Sequence, residues 1–178
     1  GRRPRGSGAG AGRRSRWAGS TALTGSPDGD ALHIERTFAA PAEAVFDAWT
    51  SADVLRRWWP AGPGWDTPVA EVDVRVGGRL RLVMRTPDGA EIGGEGRYVE
   101  IDRPRLLAFT WRWDGPLLDT AAQLVEVSFT GNEDGTTTVL LVNRGIPESD
   151  RTSHREGWDA SFDNLDEVLA DTTGRGAR

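Results

Sequence analysis

Between residues 69 and 144 apolar and polar side chains alternate through six successive segments, and no helical pattern separates them. In VAEVDVRV (69–76), Ala70, Val72, Val74 and Val76 share one face; in RLRLVMR (79–85), Leu80, Leu82 and Met84 do. EIGGEGRYVEI (91–101), RLLAFTWRW (105–113), QLVEVSF (123–129) and TTTVLLVNR (136–144) follow, punctuated by Pro87-Asp88-Gly89, Asp102-Arg103-Pro104 and Asn132-Glu133-Asp134-Gly135. A period of two marks half-buried strands, and short connections make consecutive strands antiparallel neighbours. Keeping the apolar faces together sets Val76 opposite Leu80 across Gly77-Gly78-Arg79, and with it Glu71 opposite Arg85.

This block has helices on both sides. DALHIERTF (30–38) reads as a further strand with Leu32, Ile34 and Arg36 on one face. Pro41 suits a first helical position, and Val45, Ala48, Trp49 and Ala52 recur at helical spacing. Thr50 and Asp53 have the spacing of a capping box for a second short helix, which carries Leu55 and Trp58 and ends at Pro60. A long helix runs from about Ser149–Ser153 to Ala170, its apolar stripe made by Trp158, Phe162, Leu165 and Leu169. Ser153 with Glu156 reads as its capping box and Gly174 as its stop. A single long amphipathic helix has to bury its stripe on the concave side of the sheet. The expected class is α+β: a curved seven-stranded antiparallel sheet wrapped around a long C-terminal helix, with two short helices between the first and second strands.

Composition removes several functions. The chain has no cysteine and two histidines, His33 and His154, far apart in sequence, so neither a thiolate nor an imidazole metal centre is expected. No cofactor is expected either: GGEG (93–96) lacks the spacing and context of a dinucleotide loop. No apolar run reaches the ~18 residues of a membrane span. Residues 1–27 hold six arginines and no acid, which leaves −11 on the remainder of a chain whose net charge is −5. So acidic a body argues against a nucleic-acid partner. The division expected is a disordered Arg/Gly-rich leader (1–27), one folded domain (28–172) and a disordered tail (173–178). A cytoplasmic protein, monomeric or homodimeric, fits these features.

The segments ERTFAAPAEAVFDAWT, LRRWWP, GGRLRLVMRTPDG, GEGRYVEIDRPRLLAFTW and HREGWDASFDNLDEVL together resemble the START/polyketide-cyclase (SRPBCC) superfamily and its helix-grip fold. More narrowly, they resemble the family named after the activator of the heat-shock chaperone ATPase (Aha-type), a name tied to stress response. The resemblance spans residues 32–170, and WWP and HxxGW are its most specific pieces. It implies a cavity between the long helix and the sheet, often used for apolar or amphipathic small molecules. The superfamily also holds lipid carriers, cyclases, hormone-receptor-like binders and co-chaperone domains, so the fold does not fix the activity.

The candidate cavity residues are Trp58, Trp59, Trp65, Met84, Phe109, Trp111, Trp113, His154, Trp158 and Phe162. Trp58 and Trp59 are about 100° apart around a helix, so one packs inward while the other lies under the 60–68 loop or borders the cavity. Trp65 either folds back on its own loop or gates the mouth. Phe109, Trp111 and Trp113 alternate with Arg112 and Thr110 along one strand, beside a strand with Gly93, Gly94 and Gly96; the rings fill that space or wall a pocket. His154 shares a helix face with Trp158, one turn away, and Gly157 between them needs a close contact to justify it.

The leading expectation is a soluble domain that binds an apolar or amphipathic, lipid- or polyketide-like molecule, with His154 or an indole N–H orienting its polar end. A protein-interaction module stimulating a heat-shock chaperone ATPase is the alternative, with the chaperone as partner. A cyclase or hydrolase is the third reading, with His154 and a buried Glu95 or Glu100 as acid–base groups. No full catalytic constellation can be assembled from sequence spacing.

Overall fold

The computed structural model describes residues 31–115 and 122–176; the arginine-rich leader lies outside the described residues. Strands β1 (Ala31–Phe38), β2 (Asp66–Val72), β3 (Arg79–Arg85), β4 (Glu91–Asp102), β5 (Leu106–Trp113), β6 (Gln123–Gly131) and β7 (Thr137–Arg144) form one curved sheet. Their spatial order is β1-β7-β6-β5-β4-β3-β2, and every neighbouring pair is antiparallel. The last six strands are the expected meander, and β1 closes against β7. Helices α1 (Ala42–Thr50) and α2 (Ala52–Trp58) connect β1 to β2, and α3 (Arg151–Gly176) follows a 3-10 turn at Glu148–Asp150. This is the helix-grip architecture.

The inward phase of each strand supplies the core. Leu32, Ile34 and Phe38 of β1, Leu107, Phe109 and Trp111 of β5, Val125, Val127 and Phe129 of β6, and Val139 and Leu141 of β7 are all buried. Phe162, Leu165, Val168 and Leu169 of α3 close over them. Arg36, on the inward phase at the open edge of β1, reaches across to α3. Its guanidinium lies 2.5 Å from the Asp163 carboxylate and 5.8 Å above the Phe162 ring. Helix α3 also holds the end of α2. Ser161 donates to the Trp59 carbonyl at 2.9 Å and Asn164 to the Pro60 carbonyl at 2.8 Å, satisfying acceptors that a helix C-terminus leaves open.

Several local expectations are corrected. β2 ends at Val72, and Val72, not Val76, stands opposite Leu80. Residues 73–78 instead coil through Arg75 N–H to Asp73 O and Gly78 N–H to Arg75 O, with Gly77 at φ +82°, so Val74 and Val76 face solvent. The shift is four residues, an even number, so the buried face survives. Arg85 meets Asp66 at 2.5 Å, and Glu71 pairs with Arg81. Neither capping box forms. Ser51, not Thr50, is the N-cap of α2, and the Thr50 hydroxyl donates to the Phe46 carbonyl. Ser153 lies inside α3, donating to the Asp150 carbonyl, because the 3-10 turn starts the helix earlier. Pro41 precedes α1 as its N-cap, and α3 continues through Gly174 to Gly176.

Tyr98 on β4 is 1% exposed and its hydroxyl has no hydrogen-bond partner. Burial, with a smaller push from the Asp73 charge, raises that hydroxyl above its ordinary titration range. The folded state therefore keeps the proton longer than the unfolded one. Its stability is complete below the unfolded value near pH ~10 and falls as pH rises beyond it. The chain has one tyrosine, no cysteine and no lysine, so no other side chain titrates between pH ~10 and the arginine range above ~12. Urea midpoints should drop above pH ~10 in the wild type and stay flat in Tyr98→Phe. At neutral pH the two should agree within about 1 kcal/mol, since an unpaired hydroxyl contributes little.

Candidate functional site

A cavity of about 280 Å³ opens under the N-terminal half of α3. Trp59, Trp65, Met84, Phe109, Trp111, Trp113, His154 and Trp158 line it, eight of the ten residues expected from sequence. The other two are core. Trp58 is fully buried, its indole N–H donating to the Ala48 carbonyl at 2.8 Å and its ring 4.7 Å from Trp49. Phe162 lies one turn beyond Trp158, edge-on to Phe38 at 5.5 Å, where the interior is closed. Both tryptophans of WWP are thus buried, the first in core and the second, 6% exposed, against the cavity.

Trp65 combines two expected roles. Its ring folds onto its own loop, so close to Gly62 that a Cβ there would lie 2.9 Å from the indole nitrogen, and its other surface lines the cavity. Of the β4 glycines Gly94 makes room for Trp111: a Cβ there would fall 2.4 Å from its ring. The ring therefore fills the glycine gap and walls the pocket. Gly157 faces the loop, 3.7 Å from the Ala61 methyl when given a Cβ, an ordinary contact rather than the tight one expected.

His154, Gln123, Asn143 and the Trp113 N–H form one polar cluster, while the Ser161 hydroxyl, also in the wall, is bonded to the Trp59 carbonyl. Across the sheet the lining runs from Met84 on β3 and Ile92 on β4, through the β5 aromatics, to Gln123 and Val125 on β6 and Asn143 on β7. His154 Nδ1 lies 2.9 Å from the Asp150 carbonyl, which can only accept, so Nδ1 carries the proton. Nε2 then accepts from Trp113 Nε1 and from Gln123 Nε2, both at 3.3 Å. Asn143 Nδ2 in turn donates to Gln123 Oε1 at 3.2 Å. Gln123 and Asn143 were missed in the sequence. Their signal is phase: each occupies an inward position of an alternating strand, where an amide requires a partner.

The proposed acids are elsewhere. Glu95 projects from the outer face of the sheet, where the Arg79 guanidinium at 2.8 Å holds its carboxyl below the usual range, and Glu100 is exposed. Among the described residues no Asp, Glu or Arg lines the cavity and no metal-binding cluster occurs. None of the described helices is long and apolar enough to cross a membrane.

Fold and cavity together define a helix-grip domain of the SRPBCC type. Residues 39–170 match the family model of Activator of Hsp90 ATPase homolog 1-like proteins, and the chain belongs to that family. Among solved structures it resembles protein CV1439 from Chromobacterium violaceum, with 25% identity and TM-score 0.70, over 79% of this chain and 97% of that one. It likewise resembles the AHSA1 protein SPO3351 from Silicibacter pomeroyi, with 27% identity and TM-score 0.67, over 79% and 97%. Protein NE0264 from Nitrosomonas europaea, 22% identical with TM-score 0.69 over 82% and 97%, shares the fold. No curated protein matches the chain.

Proposed function

We propose that the domain binds an apolar or amphipathic small molecule in the cavity between α3 and the sheet. The observation that carries this reading is the lining: a room of about 280 Å³ walled by five indoles and a phenylalanine, with a hydrogen-bonded cluster of His154, Gln123 and Asn143. Its size is close to the lower end of small-molecule sites, ~300 Å³. Burial of apolar ligand surface at roughly 25 cal/mol per Å² supplies the driving force. His154 orders the polar cluster: its Nδ1–H is held by the Asp150 carbonyl and its Nε2 lone pair is shared by Trp113 and Gln123. Native mass spectrometry of the purified chain should reveal a bound mass, or one acquired from lipids and polyketide-like aromatics. Tryptophan emission should change as such ligands are titrated in. A chain that gains no mass and shows no emission change with any of them would sink the proposal.

Family membership keeps a chaperone partner as a second reading, tested by stimulation of a heat-shock chaperone ATPase. The only large apolar side chains strongly exposed among the described residues are Val74 and Val76. That is a small surface for docking, and the cavity is the better-supported site.

A further inference from the structure

The wall of the cavity changes character from mouth to floor. Ala61, Trp65, Ile92, Trp113 and Gly157 are half-exposed and Ser153 is exposed. The opening therefore lies between the 60–65 loop, the N-terminal half of α3 and the adjoining ends of β4 and β5. Met84, Phe109, Trp111 and Val125 are buried and form the floor, with Trp59 beside them. Gln123, Asn143 and Ser161 bring amides and a hydroxyl to this buried part, and each is already engaged. The Gln123 NH₂ donates to His154 Nε2, its oxygen accepts from Asn143, and the Ser161 hydroxyl donates to the Trp59 carbonyl. Asn143 Oδ1 has no partner, but the surrounding atoms close it off and an occupant does not touch it. His154, nearer the rim, is held at both ring nitrogens.

We infer that the ligand is an amphipathic molecule with a single polar end, taken up apolar end first, its head group staying in water at the mouth beside Ser153. This inference rests on the cavity being a binding site and adds which way the occupant lies and which molecules are refused. Among the described residues the wall holds no Asp, Glu or Arg, and the chain has no lysine. An ionised group pushed to the floor would lose its water and meet no counter-charge, a cost that an indole N–H alone does not offset. At the mouth the same group keeps its hydration. A compact aromatic acid or alcohol with one terminal head group therefore qualifies. A molecule polar at both ends does not, because one end has to be buried.

The test is calorimetric titration of the full chain with three rod-shaped biphenyls. The first carries a para methyl at one end and a para carboxylate at the other, the second a hydroxymethyl in place of that carboxylate, and the third carboxylates at both ends. The first two should bind within about threefold of each other, since both lay the methyl end on the floor and keep the head in water. The diacid should bind at least about tenfold more weakly, its inner carboxylate being desolvated without a partner. Ser153→Asp sets a negative charge at the mouth, on an exposed helix position, and should shift the acid-to-alcohol preference about threefold toward the alcohol. A methyl acid far weaker than the alcohol, a diacid as tight as the methyl acid, or a preference that Ser153→Asp leaves unmoved would overturn the inference while the binding site stands. A wild type that binds none of the three rods would overturn it too, and the binding site with it if the mass-spectrometric screen is equally empty. The wild-type series decides by itself, so a Ser153 variant that failed to fold would not blunt the test.

Discussion

Trp58→Ala should lower the stability of the domain by about 4 kcal/mol in urea or guanidinium unfolding. The ring is fully buried, rests against Trp49 and Trp59, and ties α2 to α1 through the Ala48 carbonyl. Removing it opens a large hole in a region with little freedom to collapse and leaves that carbonyl without its donor. Marginal domains carry about 5–15 kcal/mol in total, so this one change should bring the protein close to unfolding. Trp59→Ala is the contrast. One side of that ring already meets the cavity, so its loss should cost less stability and act mainly on ligand affinity. If the two variants were equally destabilised, the distinction between core and cavity wall drawn for this pair would be wrong.

Gly96→Ala should be destabilised by about 3 kcal/mol, read from the same unfolding curves. A Cβ at Gly96 would lie 1.6 Å from the Thr110 carbonyl oxygen, and that oxygen belongs to the backbone of the paired strand. A flexible side chain could swing aside; a strand carbonyl moves only with its ladder. The clash therefore has to be relieved by parting β4 from β5, the strand that carries Trp111 and Trp113. Gly157→Ala serves as the control. There the new methyl finds ordinary contact with Ala61, and an alanine in a helix interior gains about 1 kcal/mol over glycine. A Gly96→Ala protein as stable as the wild type would show that β4 and β5 can separate at this point without loss.

The strands were legible because side-chain direction along a strand is fixed locally. Alternation alone placed Leu107, Phe109 and Trp111 inward, and they are inward. What alternation fixes is parity, not register. Val74 and Val76 continue the pattern of Ala70 and Val72, yet the chain leaves the sheet at Asp73, and a slip of four residues costs no face. The capping boxes failed for a related reason. Spacing identifies residues able to cap, whereas the extended backbone at Ser51 and the 3-10 turn at Glu148–Asp150 decide where each helix starts.

Most of the cavity wall was legible too, because large aromatics at inward positions opposite glycines leave few arrangements. Telling wall from filling was harder. Phe162 and Trp158 lie on one helical stripe, and only the packing of Phe38 and Trp49 shows that the room ends between them. Gln123 and Asn143 were readable in principle, as amides at inward phase, but their meaning depends on His154 arriving from a distant helix.

Six of the tryptophans form an unbroken series of ring contacts: Trp58 touches Trp49 and Trp59, Trp59 touches Trp111 and Trp158, and Trp111 touches Trp113, with centroids 4.7–5.6 Å apart. At such separations the excited states of indoles mix, and energy absorbed by one passes among the rest before it is emitted. The near-ultraviolet dichroism of this domain is accordingly a property of the group, sensitive to the mutual tilt of all six rings. An occupant that turns only Trp113 or Trp158 alters the shared signal. The protein thus carries an intrinsic optical reporter wired from its rigid centre to the wall of its cavity.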